Sequence, residues 1–97
     1  MAFIVKRTFV RTDDSTAWPW ESMSSADTSA LVSARADNNV TQSTTTSDNG
    51  LVVSYTESCV SYDDYLPYFE VAQPIWNVNN LGWSANIDFS YEVIENS

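Results

Sequence analysis

The sequence predicts an α+β fold in which two helices cover one face of an antiparallel four-stranded sheet. An alternating apolar segment opens the chain, and a second, more regular one closes it. Between them, two stretches with helical spacing flank a polar segment, an Asn-Gly turn and another alternating segment. The resulting order of strand, helix, strand, strand, helix and strand is the pattern of a split β-α-β sandwich.

Segment 3–12 is predicted to be a central strand, because both of its faces are apolar and should be largely covered. Phe3 and Val5 lie on one face, and Ile4 and Val10 lie on the other. A central strand needs a partner on each edge, so the remaining strands are expected to flank it.

Segment 17–36 is predicted to be a helix with Pro19 at an early position, where the missing N–H of a proline is tolerated. Its apolar residues recur at three- and four-residue steps, as a buried stripe requires. Most of them are small, so a close but weak contact with the sheet is expected. The stripe consists of Met23, Ala26, Ala30, Leu31 and Ala34.

Segment 40–47 is rich in Thr and Ser and has little apolar surface to bury, which predicts either an edge strand or a mobile arm. Asn49 and Gly50 then favour a tight hairpin turn, because both residue types tolerate positive φ angles. Segment 51–60 alternates again and is predicted to be the strand that returns from this turn.

A second helix is predicted from about Asp64 to Gln73. Pro67 would fall in its first turn, where it is tolerated, and Pro74 should end or kink it. Segment 85–95 alternates most regularly of all and predicts a half-buried strand, with one face on the core and one facing water.

These elements match the ferredoxin-like sandwich, in which the first strand lies between the third and the fourth. The doubly apolar first strand suits the central place, and the polar segment 40–47 suits an exposed edge. The alternative is an all-β sandwich in which segment 64–78 is also extended. The whole chain, 1–97, is predicted to form one small acidic domain.

The charge balance excludes some classes of partner. The chain carries 13 carboxylates against 4 bases, and its net charge is −9. Such a surface repels nucleic acids and anionic membranes, so neither is expected as a partner. No segment has the character of a secretory signal or a membrane span, which predicts a cytoplasmic protein, or a virion component assembled in a host cytoplasm.

The residue types that most catalysis requires are missing. The chain has no His and a single Cys, Cys59, which excludes His-based nucleophilic sites, thiolate zinc sites and internal disulfides. The pairs Asp13-Asp14 and Asp63-Asp64 precede predicted helices, so we interpret them as caps rather than calcium ligands. No catalytic residue, cofactor, metal or small-molecule substrate is therefore predicted.

Aromatic residues are the best candidates for contacts with a protein partner, since Trp and Tyr are enriched at interfaces. The competing interpretation is that these rings cover the ends of a small core. The predicted interface residues are Trp18, Trp20, Tyr62, Tyr65, Tyr68, Trp76 and Trp83.

Arg7 and Glu57 each interrupt the apolar face of their own strand. If the first and third strands are antiparallel neighbours, the two residues can face each other across the strands. We therefore predict a structural ion pair beneath the helices. The competing interpretation is that Arg7 binds an anion in a pocket.

Three functions are compatible with these features. The first is a non-enzymatic structural or interaction module that binds protein partners or itself, such as a small subunit of a phage virion (a capsid decoration or tail accessory protein). The second is an acidic inhibitor or nucleic-acid mimic that binds a basic partner. The third is a small cofactor-free enzyme with a dimeric ferredoxin-like barrel. The Ser-, Thr- and Asn-rich composition favours the first.

Overall fold

The computed structural model describes residues 2–79 and 86–96, which contain four strands and two α-helices. The strands are β1 (Phe3–Arg11), β2 (Thr41–Thr46), β3 (Val52–Cys59) and β4 (Ile87–Asn96). The helices are α1 (Ser25–Asp37) and α2 (Tyr62–Val78), and a short 3-10 turn (Pro19–Ser22) precedes α1.

The sheet has the strand order β2-β3-β1-β4, and every neighbouring pair is antiparallel. β1 is therefore central and β2 is an edge strand, as their sequences predicted. Residues of both helices pack on the sheet face that carries Phe3 and Val5. This is the ferredoxin-like sandwich, and the all-β alternative is wrong because α2 is helical.

The other face of the sheet has no second layer in the described part of the chain. Ile4 is half-buried there and Val10 is 37% exposed. The expectation that β1 would be covered on both faces is therefore wrong. No helix among the described residues has the length and apolar character needed to cross a membrane.

α1 begins at Ser25, later than the predicted start near residue 17. Ser24 caps it, because its hydroxyl oxygen accepts a hydrogen bond from the backbone N–H of Asp27 at 3.1 Å. Pro19 lies instead in the separate 3-10 turn. Proline is compatible with the first turn of either kind of helix, so its presence alone does not locate the start of α1.

The two carboxylate pairs have different roles. Asp13 accepts hydrogen bonds from the backbone N–H groups of Ser15 and Thr16, at 3.1 and 3.0 Å. It therefore closes the turn after β1 and caps no helix, contrary to the sequence interpretation. Asp63 and Asp64 do lie in the first turn of α2, where the helix dipole favours negative charge.

α2 continues through Pro74 to Val78, beyond the predicted end at Gln73. A proline inside a helix deprives the carbonyl four residues earlier of its N–H donor. For Pro74 that carbonyl belongs to Glu70, and both residues are exposed, so water can supply the missing hydrogen bond. Trp76 packs against the core beyond the proline, which stabilises the continuing turns.

The loop between β2, which ends at Thr46, and β3, which begins at Val52, is wider than the tight hairpin turn that the sequence predicted. Gly50 has a φ of +73°, but Asn49 keeps a negative φ. The side-chain carbonyl of Asn49 instead accepts hydrogen bonds from the Ser47 hydroxyl at 2.7 Å and the Leu51 N–H at 3.0 Å. The amide of Asn49 thus shapes the loop, and only the glycine requires the left-handed region.

Candidate functional site

Arg7 and Glu57 form an ion pair beneath the helices, between the two residues that the sequence paired. Glu57 is fully buried, and its carboxylate also accepts hydrogen bonds from the hydroxyl groups of Tyr65 and Tyr68. The Arg7 guanidinium also donates to the Tyr65 hydroxyl at 3.2 Å and stacks 4.0 Å from the ring centre of Trp76. The buried carboxylate is thus fully hydrogen-bonded, as a buried charge requires.

The ion pair is diagonal across the strands. In the β1–β3 register Arg7 lies opposite Tyr55, and Glu57 lies opposite Val5. The long guanidinium side chain spans this offset, which diagonal neighbours in a sheet allow. The predicted partners were correct, and the predicted directly facing geometry was wrong.

The side chains around Glu57 are held in one protonation state near neutral pH. Burial, together with the negative charge of Glu57, raises the pKa of Tyr65 and Tyr68 well above that of a free phenol, so both remain neutral donors. Burial acts to lower the pKa of Arg7, but the Glu57 carboxylate and the two phenols outweigh it, and the pKa of Arg7 is raised. Neither the arginine nor the tyrosines therefore exchange protons in this range.

A partly open cavity of about 650 Å³ lies between the helices and the sheet. Cavities of this size, mostly apolar with a few polar groups, are typical small-molecule sites. All four strands, both helices and the 3-10 turn contribute to it. Its aromatic lining residues are Phe9, Trp20, Tyr55, Phe69, Trp76, Phe89 and Tyr91.

The wall of the cavity is a connected set of rings around Phe9. The ring centres of Trp20, Tyr55 and Phe89 lie 5.1, 6.0 and 5.0 Å from that of Phe9. Edge-to-face and tilted contacts at these distances are favourable beyond simple burial. The rings therefore hold each other in place and form the wall without a ligand.

β4 is less buried than its sequence predicts. Its alternation indicates one covered face, yet only Ile87 is buried in this strand. The other inward-facing apolar residues, Phe89, Tyr91 and Val93, are 37%, 57% and 43% exposed. Two of them, Phe89 and Tyr91, line the open side of the cavity. The prediction of a half-buried strand was thus wrong for most of β4, since the helices leave this edge of the sheet uncovered.

The cavity is positively charged in an acidic protein. Its described lining residues include Arg7 and Arg35 but no Asp or Glu, although the chain has 13 carboxylates. Arg7 is paired with Glu57, whereas Arg35 forms no ion pair within the described residues. Burial raises the pKa of Tyr55, and the positive charges of Arg7 and Arg35 oppose that effect. Burial and the charge of Glu57 raise the pKa of Tyr68, and a side-chain hydrogen bond with Arg35 opposes that effect. Arg35 is therefore within electrostatic reach of these rings.

Three of the predicted interface residues are not at the surface. Tyr65 and Tyr68 are core residues, 3% and 0% exposed, because their hydroxyl groups serve the buried Glu57. Trp18 is also buried, stacked on Trp20 with 5.0 Å between ring centres. For these three the structure favours the competing interpretation, in which the rings cover the core.

The remaining predicted interface residues are distributed over different places. Trp20 and Trp76 line the cavity and are half-buried. Tyr62 is 46% exposed, and its ring meets that of Phe3 edge-on at 5.2 Å. Trp83 lies outside the described residues. The residues that sequence reasoning missed are Arg35, Tyr55, Phe89 and Tyr91. A usable signal existed for Arg35, since it is the only base beyond residue 11.

Comparisons with known proteins bear on the fold alone. No protein-family model matches the chain, and no curated protein matches it. The structure is similar to that of a de novo designed protein, Foldit4, with 7% identity, full coverage of both chains and a TM-score of 0.51. A dimeric ferredoxin-like protein of unknown function from Thermobifida fusca aligns with 5% identity and a TM-score of 0.37, over 95% of this chain and 92% of that one.

Proposed function

We propose that the protein is a non-enzymatic binding module whose ligand occupies the cavity between the helices and the sheet. The observation that carries this proposal is the exposure of Phe89 and Tyr91 in a strand whose alternation is typical of a covered face. Contiguous apolar surface left uncovered beside a cavity marks a binding site more often than chance exposure. A ligand bound in the cavity would bury the exposed side chains of Phe89 and Tyr91.

The ionisable groups of the cavity support binding rather than catalysis. They are Arg7, Arg35, Tyr55 and Tyr91, and burial raises the pKa of Tyr55 further. General acid–base catalysis needs a group that exchanges protons near the working pH. The described part of the lining contains no carboxylate or thiol, and the nearby carboxylate of Glu57 is sealed from solvent.

A fluorescent apolar probe is expected to bind the protein at one site. We would titrate the purified chain with anilinonaphthalenesulfonate and with the neutral N-phenylnaphthylamine, which share an aromatic skeleton. Phe89→Ser is expected to weaken the binding of whichever probe binds by about tenfold, since a ring contact of this kind contributes on the order of 1.4 kcal/mol.

Val10→Ser is the matched control. Val10 is also 37% exposed, but it lies on the opposite face of the sheet. Its replacement is expected to leave the dissociation constant unchanged within about twofold, because it contacts no part of the cavity. Absence of saturable binding by both probes, or equal effects of the two substitutions, would contradict the proposed function.

The second candidate function is the assembly role that composition predicts, such as a subunit of a phage virion. It is favoured by two further apolar residues of β4, Val93 and Ile94, which are 43% and 53% exposed next to a β-bulge. They do not line the cavity, and β4 is an edge strand. Exposed apolar residues on an edge strand favour association with another chain.

Light scattering coupled to size-exclusion chromatography tests this assembly role. The wild-type chain is expected to form a multimer, and Ile94→Glu is expected to shift it towards the monomer because the new charge would be buried in the interface. Val32→Glu is the control, since Val32 is 52% exposed on α1, away from β4. A monomeric wild-type chain at all concentrations, with no co-purifying partner, would count against the assembly role.

A further inference from the structure

The charges of the cavity indicate the chemical class of its ligand. We infer that the cavity binds a small aromatic molecule with one anionic group, which Arg35 binds while the rings around Phe9 contact its apolar body. This inference rests on the proposed binding function and narrows it. The anionic group is of the carboxylate or sulfonate type.

Arg35 carries a charge that the described protein does not neutralise. Its side chain is only partly exposed, it lines the cavity, and it has no carboxylate partner within the described residues. A side-chain hydrogen bond links Arg35 to Tyr68. A partly desolvated guanidinium is more stable when an anion takes up its remaining N–H donors. Its planar fork matches a carboxylate or sulfonate, and such charge-assisted hydrogen bonds are stronger than neutral ones.

Arg7, the other arginine that lines the cavity, is not available to bind an anion. Its charge is compensated by Glu57, one of its N–H groups donates to Tyr65, and its flat face is stacked on Trp76. An anion bound there would compete with the buried carboxylate for the same guanidinium. The anion site is therefore assigned to Arg35, and the earlier interpretation of Arg7 as an anion ligand is not supported.

The distribution of the acidic residues points to the same class of ligand. Thirteen carboxylates and four bases give the chain its net charge of −9, yet no carboxylate is among the described residues that line the cavity. A cationic ligand would be attracted to the acidic surface and repelled by the uncompensated charge of Arg35 in the cavity. An anion is repelled by the surface as a whole, so its binding here would depend on the local charge of Arg35.

The aromatic wall determines the apolar part of the ligand. Phe9, Trp20, Tyr55 and Phe89 form one connected set of rings, and Tyr91 is exposed beside them. A flat aromatic ligand can stack on these rings or meet them edge-on, and both geometries are favourable. Arg35 and Tyr55 both line the cavity, which places the anion site in the same cavity as this wall.

The two naphthalene probes test the inference, because they differ in the sulfonate. The wild-type chain is expected to bind anilinonaphthalenesulfonate at least about tenfold more tightly than N-phenylnaphthylamine, although the neutral probe is the more hydrophobic. Arg35→Met is expected to weaken binding of the sulfonate by about ten- to a hundredfold. The same substitution should change the affinity for the neutral probe by less than about threefold. Naphthoate should displace the bound sulfonate probe, and the corresponding naphthalenemethanol should not.

Lys6→Met is the matched control, since it removes one positive charge from the opposite face of the sheet. It should leave both affinities unchanged, which separates contact with Arg35 from a change in net charge. Arg35→Lys should retain part of the preference, because it keeps the charge and loses the fork.

The outcomes distinguish the inference from the proposed function. Equal binding of both probes by the wild-type chain, or a sulfonate affinity that is insensitive to Arg35→Met, would overturn the inference and leave the binding function in place. Failure of both probes to bind would overturn both. The comparison of the two probes on the wild-type chain decides the matter even if Arg35→Met does not fold.

Discussion

Glu57→Leu is expected to lower the free energy of unfolding by about 3–5 kcal/mol, because it leaves a buried charge without its partner. Arg7 is only 11% exposed and would lose its carboxylate. The hydroxyl groups of Tyr65 and Tyr68 would lose their common acceptor at the same time. Domains of this size have a total stability of about 5–15 kcal/mol, so the variant should be close to unfolding. Urea denaturation followed by tryptophan fluorescence measures the loss.

A double-mutant cycle tests whether the loss comes from the pair. Arg7→Met should also destabilise the protein strongly, and the double variant should lose clearly less than the sum of the two single variants. Glu92→Leu is the control, because Glu92 is an exposed carboxylate on β4, and its effect should stay within about 0.5 kcal/mol. Additive losses in the double variant would show that the two charges do not depend on each other.

The ion pair and the cavity are physically connected. Arg7 lines the cavity, and its guanidinium also supports the ring of Trp76, another lining residue. Phe3 and Val5 belong to one core cluster and Phe9 belongs to the other, with Arg7 between them on the same face of β1. The network around Glu57 thus fixes the positions of Arg7 and Trp76 in the lining of the cavity, which favours a preformed binding site.

The fold was predictable because its strands differ in kind. β1 is apolar on both faces, β2 is polar throughout and lies at an edge, and β3 and β4 alternate. Only one arrangement of these four satisfies the connections of a split β-α-β unit. The ion pair between Arg7 and Glu57 could also be predicted from the sequence, since each residue interrupts an apolar face in its own strand.

The cavity was not predictable, because alternation reports which side chains face inward and not whether anything covers them. Phe89 and Tyr91 have the pattern of core residues, yet the helices do not reach them. The apolar stripe of α1 is mostly small, and only Leu31 and Ala34 of this helix are buried. A helix with so little apolar surface cannot fill the space above a sheet, and the length of α2 beyond Pro74 could not be read from propensity.

The free energy of unfolding is expected to fall steeply above about pH 10, because of the two tyrosines that donate hydrogen bonds to Glu57. In the unfolded chain Tyr65 and Tyr68 ionise near pH 10.0, whereas in the folded state burial and the charge of Glu57 raise the pKa of both. Above the unfolded pKa the folded state therefore holds more protons than the unfolded state. The free energy of unfolding then decreases by up to about 1.4 kcal/mol per pH unit for each tyrosine, and below this pH the contribution is fully present.

Urea denaturation at a series of pH values measures this slope. Tyr68→Phe should make the slope shallower, because it removes one of the two groups whose pKa the fold raises. Burial also raises the pKa of Tyr55, which adds a contribution of the same sign. Ionisation of Tyr65 and Tyr68 near pH 10 in the folded chain, followed by tyrosine absorbance, would show that burial and the charge of Glu57 do not raise their pKa. The phenols must keep their protons for Glu57 to remain buried, so loss of those protons and loss of the fold should occur together.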